Sequence, residues 1–160
     1  MIINIQKYKN DEWGGIDPKI QKLVIELNRL GMKTTGSCEG HVDGHRSPSP
    51  WVKITGLDTL QTKRFLKQTS DFLYRFYGNR IVADDVRIAI KKAHSGFWIH
   101  NGGKLYDAWR KQVDRNVRNR KNKIVTKTML SAHERLTRGK KLSSYQREMQ
   151  KFSQFLSRFK

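Results

Sequence analysis

Two helical segments with marked ends constrain the fold of the first hundred residues more than any other feature. Asp17-Pro18 is typical of a helix start, and Gly31 is typical of a helix end. Asp58 and Gly78 bracket a second segment in the same way. Apolar residues recur at helical spacing within both segments, so each helix has one apolar face that must pack against another layer. The first face comprises Ile20, Leu23, Val24, Leu27 and Leu30, and the second Leu60, Phe65, Leu66, Phe72, Leu73 and Phe76.

Short apolar stretches around these helices predict strands. They lie at residues 2–8, 32–37, 51–54, 86–90 and 97–100. Strands and helices then follow in the order β-α-β-β-α-β-β. This order predicts an α+β fold with a small mixed or antiparallel sheet and both helices on one of its faces.

The composition changes near residue 101, where Asn101-Gly102-Gly103 marks a turn. Residues 1–100 carry 16 Lys/Arg and 10 Asp/Glu, whereas residues 101–160 carry 17 and 4. The second part therefore contributes +13 of the formal net charge of +19. We predict an α+β domain at 1–100 and a basic helical extension at 101–160.

The extension reads as helix almost throughout. Gly139 is expected to end one helical segment, and Ser143 with Gln146 forms a capping-box signal for a last helix. That helix has an apolar side that needs a partner surface. The partner is the first domain, the preceding helix or a second copy, which would make a homodimer through the C-terminal helix. The apolar side comprises Tyr145, Met149, Phe152, Phe155, Leu156 and Phe159.

The basic segment at 110–127 is the best candidate for nucleic-acid binding. It holds eight Lys/Arg and one acid, Asp114. Cations neutralise phosphates and release counterions, and the Asn residues between them can hydrogen-bond phosphates or base edges. The alternative is a solvated helix face. The candidate residues are Arg110, Lys111, Arg115, Arg118, Arg120, Lys121, Lys123 and Lys127.

Several classes of protein are not expected. The single cysteine, Cys38, cannot form an internal disulfide, which excludes a disulfide-stapled scaffold. No apolar run approaches the roughly 20 residues that span a bilayer, and no signal peptide is visible. We therefore expect a soluble cytoplasmic protein with no membrane partner.

The loop after the second predicted strand carries the chemistry. Cys38, His41 and His45 have the spacing C-x2-H-x3-H, and a thiolate with two imidazoles suits Zn²⁺. Asp43 or water could complete four ligands. Three protein ligands with an open position are typical of a catalytic site, so a zinc-dependent hydrolase is one hypothesis.

The same loop also allows a site without metal. Ser37, Gly40 and nearby backbone N–H groups could cradle a phosphate or carboxylate. Cys38 is then a nucleophile that His41 activates, with Glu39 as a further catalytic candidate. Trp13, beside Gly14-Gly15, is a ligand-binding candidate that could close over the Cys38 loop. The plainest alternative is a polar loop with a small buried Cys.

Residues 16–55 resemble the tRNA wybutosine-synthesising methyltransferase family. The resemblance rests on Leu27-Asn28 followed by Thr34-Thr35-Gly36-Ser37-Cys38-Glu39-Gly40, and small uncharacterised microbial and viral proteins share the SCxGH pattern. Glu39 replaces the family's second Ser, and His41 replaces its Arg. The family's later Ser-His pair has no counterpart here. The resemblance implies a related α+β fold, a working surface around Cys38, and RNA as the partner. It also implies methyl transfer from S-adenosylmethionine.

These features favour a nucleic-acid-binding protein directed at RNA, with a small catalytic or ligand site at Ser37–His41. The alternative is a regulator of viral or mobile-element type that binds nucleic acid or a nucleotide without catalysis.

Overall fold

The computed structural model describes residues 15–42, 49–102 and 132–160. The predicted strand at 2–8 and the basic segment at 110–127 lie outside these ranges. The described residues form three helices and four strands: α1 (Pro18–Arg29), β1 (Thr34–Cys38), β2 (Trp51–Ile54), α2 (Thr59–Tyr77), β3 (Ile88–Lys92), β4 (Phe97–Asn101) and α3 (Ala132–Leu156).

The four strands form one antiparallel sheet in the order β1-β2-β4-β3. The predicted α+β class is therefore confirmed, with the antiparallel form of the sheet. In the central pair, Val52 lies opposite Ile99 and Ile54 opposite Phe97. These four residues are buried and share one face of the sheet, because side chains alternate between faces along a strand.

The helices begin and end close to the predicted positions because their end signals are local. The Asp58 carboxylate accepts the N–H of Gln61 at 2.7 Å and so caps α2. Gly78, which ends α2, has a positive φ of 39°. Side-chain oxygens at a helix start satisfy N–H groups that have no partner within the helix.

All three helices share one hydrophobic core with the sheet. In α3, Met149, Phe152 and Leu156 belong to this core and are fully buried. The Phe152 ring lies 5.1 Å from the Phe76 ring of α2, and Arg29 of α1 donates to the Leu156 carbonyl at 3.0 Å. The apolar side of the last helix therefore packs against the helices of the first part of the chain.

The predicted helix break at Gly139 and new start at Ser143 are wrong. Helix α3 runs without interruption from Ala132 to Leu156. A glycine inside a helix destabilises it by about 0.5–1 kcal/mol relative to alanine. Burial of one large apolar side chain stabilises the fold by more than this amount. Burial of Leu142 and Tyr145 directly after this point keeps the chain helical.

None of the helices in the described ranges combines the length and the apolar composition needed to cross a membrane.

Candidate metal centre

Three potential metal ligands meet where β1 ends and α1 begins. A carboxylate oxygen of Asp17, Sγ of Cys38 and a ring nitrogen of His41 all lie within 4.8 Å of one another. Cys38 is the last residue of β1 and is partly buried. The structure thus brings together Cys38 and His41 from the predicted ligand set. His45 and Asp43 lie outside the described residues.

Asp17 is the ligand that sequence reasoning missed. Its position predicts a helix cap, but its side chain makes no capping hydrogen bond to α1. Instead, Asp17 Oδ2 accepts the backbone N–H of Glu39 at 3.0 Å. Glu39 Oε2 in turn accepts the N–H of Lys19, in the first turn of α1, at 3.0 Å. The Glu39 carboxylate thus accepts an N–H group at the start of α1, where Asp17 was expected to do so. The Asp17 carboxylate instead lies against the Cys38 loop.

Gly40 fixes the turn that brings His41 back toward Cys38. Its φ is +83°, and a Cβ at this position would lie 2.6 Å from Leu142 Cδ1 and 2.9 Å from the Ser49 carbonyl carbon. Its N–H donates to Cys38 Sγ at 3.4 Å. Only glycine fits here, and a donor aimed at the sulfur stabilises negative charge on it.

Helix α3 holds the loop from the other side. Gln146 Nε2 donates to the Glu39 carbonyl oxygen at 2.9 Å, and both Gln146 and Leu142 are buried. The second half of the supposed capping box therefore makes a long-range contact. No local pattern could have indicated this role, because the partner lies 107 residues away.

The other predicted site residues within the described ranges do not belong to the cluster of Asp17, Cys38 and His41. Ser37 lies in β1 opposite Val52, outside the ligand cluster. Glu39 has its carboxylate on the N-terminus of α1. Trp13 and the eight cations of the segment 110–127 lie outside the described ranges.

The donor set suits zinc. Carboxylate, thiolate and imidazole are all ligands of Zn²⁺, and tetrahedral coordination places ligand atoms roughly 3.3–3.6 Å apart. The three ligand atoms here lie within 4.8 Å of one another. The N–H group on Asp17 Oδ2 orients this carboxylate, as outer hydrogen bonds commonly do in metal sites.

Comparison with known proteins gives no match to this chain among protein-family models, curated proteins or solved structures.

Proposed function

We propose that this protein binds RNA and holds a Zn²⁺ ion with Asp17, Cys38 and His41, forming a hydrolytic centre. The observation that carries the proposal is the approach of three different ligand types to within 4.8 Å. Three protein ligands leave a fourth position for water, which is the arrangement of catalytic rather than structural zinc sites. Zinc supplies a nucleophile near neutral pH by acidifying that water.

The charge of the chain supports a phosphate-bearing substrate. The net charge of +19 attracts polyanions, and most of it lies in residues 101–160. The resemblance to a tRNA-modifying family favours RNA over DNA. An ester in RNA is therefore the substrate class that suits both the charge and the proposed centre.

The decisive experiment measures the metal content of the purified full-length chain. We expect about one zinc ion per chain, as for a mononuclear site. Asp17→Asn, Cys38→Ser and His41→Ala should each lose most of the zinc. The matched controls are Asp58→Asn, which keeps an oxygen to cap α2, and His94→Ala, which removes an exposed imidazole.

Retention of zinc by all three ligand variants would overturn the metal centre, as would a wild-type protein without bound zinc after refolding with the ion. Urea unfolding of each variant shows whether a loss of metal reflects a lost ligand or a lost fold. If a variant has lost only a ligand, it unfolds at the same urea concentration as the wild type when both proteins are free of metal.

A second candidate function uses the same three side chains as a thiol nucleophile, its base and a carboxylate. The hydrogen bond from Gly40 N–H to Cys38 Sγ favours it, because it stabilises the thiolate that attacks. Iodoacetamide distinguishes the two. A nucleophilic thiol reacts fast in the presence of a chelator and slows in His41→Ala. A metal ligand is protected by zinc and reacts only when the chelator is added.

A further inference from the structure

The outward side of α3 carries a row of exposed cations. Two cavities of about 450 and 560 Å³ lie along it, and they share Ser144 and Arg147 in their walls. Arg80 and Lys151 line the first cavity, and Lys140 lines the second. We use the name basic groove for this surface. It is separate from the segment 110–127 and lies wholly within the described residues.

Helical geometry explains why these cations share one side. Lys140, Arg147 and Lys151 are spaced by seven and four residues, which places them on one stripe at 3.6 residues per turn. All three are exposed. The core residues Met149, Phe152 and Leu156 lie on the opposite side of the helix. Packing of the inner side against α1 and α2 therefore fixes the direction in which the cations point.

The groove has an uncompensated positive charge. Among the described residues, no carboxylate lies within 4.0 Å of Lys140, Arg147 or Lys151. The acid nearest to them in the groove wall is Glu148, which is buried and pairs with Arg80 at 3.0 Å. On α2, by contrast, Lys67 pairs with Asp71 in the way usual for a solvated helix face.

Arg80 forms a fixed wall of the groove. Its guanidinium lies 4.1 Å from the centre of the Phe76 ring, and its Nη2 donates to Glu148. Its Nη1 is buried, and no group in the part of the chain that the structure describes accepts a hydrogen bond from it. A guanidinium held by stacking and an ion pair loses little further freedom when an anion binds beside it.

We infer that the basic groove binds the sugar-phosphate backbone of single-stranded RNA. The exposed cations would neutralise phosphates, and the exposed Ser143 hydroxyl group would donate a hydrogen bond to a phosphate oxygen. Contacts of this kind read no base sequence. The inference rests on the proposed RNA binding and names the surface that performs it.

The test compares two triple variants of the full chain that remove the same charge. The groove variant carries Lys140→Gln, Arg147→Gln and Lys151→Gln. The control variant carries Lys22→Gln, Arg64→Gln and Lys67→Gln, which are exposed cations of α1 and α2. Fluorescence anisotropy measures binding to a labelled single-stranded RNA of about 20 nucleotides, longer than a typical single-strand site.

We expect the groove variant to bind about 100-fold more weakly than wild type near 0.1 M salt. The slope of log affinity against log salt should become shallower by about 2, at roughly 0.7 per phosphate contact on a single strand. The control variant should change affinity less than threefold at the same salt. Circular dichroism should show both variants folded, since all six positions are exposed.

Three other results are possible, and each contradicts a specific part of the proposal. If wild type binds RNA and the groove variant binds equally well, the groove is wrong while RNA binding stands. If both triple variants weaken equally, net charge alone governs binding and the groove is again wrong. If wild type does not bind RNA at low salt, the RNA part of the proposed function fails together with the groove. The zinc measurement is independent of all three results.

Discussion

The Cys38 loop and the basic groove lie on opposite sides of α3, and they are built in different ways. In the loop, Gly40 lies against the Leu142 side chain and the Glu39 carbonyl accepts a hydrogen bond from Gln146, so specific contacts hold the loop in place. In the groove, the exposed cations have no ion partner among the described residues. A site made of fixed contacts fails when one contact is lost, whereas a site made of charges weakens gradually.

The largest contrast should appear between two neighbouring residues of α3, one buried in the core and one exposed. Phe152→Ala should destabilise the protein by about 3–5 kcal/mol, because the ring is fully buried against α2. Lys151→Ala should change stability by less than about 0.5 kcal/mol, because the side chain is exposed. Urea unfolding measures both. Equal costs would show that the helix does not pack on the core.

Two glycines give the next largest contrast. Gly40→Ala should cost about 2–4 kcal/mol, from the left-handed backbone and the overlap with Leu142 and the Ser49 carbonyl carbon. Gly139→Ala, where no atom of the described residues lies within 4 Å of a new Cβ, should stabilise the protein by about 0.5–1 kcal/mol. Thermal unfolding would contradict this account if the two changes had the same sign.

A substitution at Glu39 should have a smaller effect on stability than on zinc affinity. Glu39→Ala removes the acceptor of the Lys19 N–H, so Asp17 becomes the nearest carboxylate to cap α1. Stability should fall by about 1 kcal/mol, and zinc affinity about 10–100-fold because a ligand turns away. Glu26→Ala, which breaks a pair with Arg29 on the same helix, is the control. Equal zinc affinity in both variants would exclude a positioning role for Glu39.

The smallest predicted effect depends on pH. Lys141 Nζ lies 2.6 Å from Asp85 Oδ2, and together with the Tyr145 hydroxyl it holds the pKa of Asp85 below its usual range. The pair therefore stabilises the fold at neutral pH, and this contribution disappears as the pH falls through the lowered pKa.

Asp85→Asn should thus cost less than about 1 kcal/mol at neutral pH and nothing in strong acid. Unfolding of both proteins across the acidic range checks the expectation. A difference that persists in strong acid would assign the effect to packing rather than to charge.

Local signals allowed most of the fold to be predicted. The start of α1 follows from Pro18, and the ends of α2 follow from Asp58 and Gly78, since helix ends depend on a few neighbouring residues. The strands after α1 also appear close to their predicted positions. The error at Gly139 arose where a weak local preference opposed the burial of a long apolar face.

The candidate site was only half predictable. Cys38 and His41 stand close in sequence, so their proximity could be foreseen from spacing. Asp17 enters only because Glu39 takes its place at the start of α1, and this exchange spans about twenty residues. A local reading assigns Asp17 to the helix cap, because nothing near it in sequence marks a competing acceptor.

The contact between Gln146 and Glu39 also bears on how the protein is made. Translation at about 5–20 residues per second separates the synthesis of these two residues by roughly 5–20 s. During that interval the nascent chain carries the Cys38 thiol without the helix that later covers Gly40. The contact that holds Glu39 from α3 can therefore form only after Gln146 has left the ribosome, and a shorter nascent chain would carry its cysteine in a loop that α3 does not yet hold.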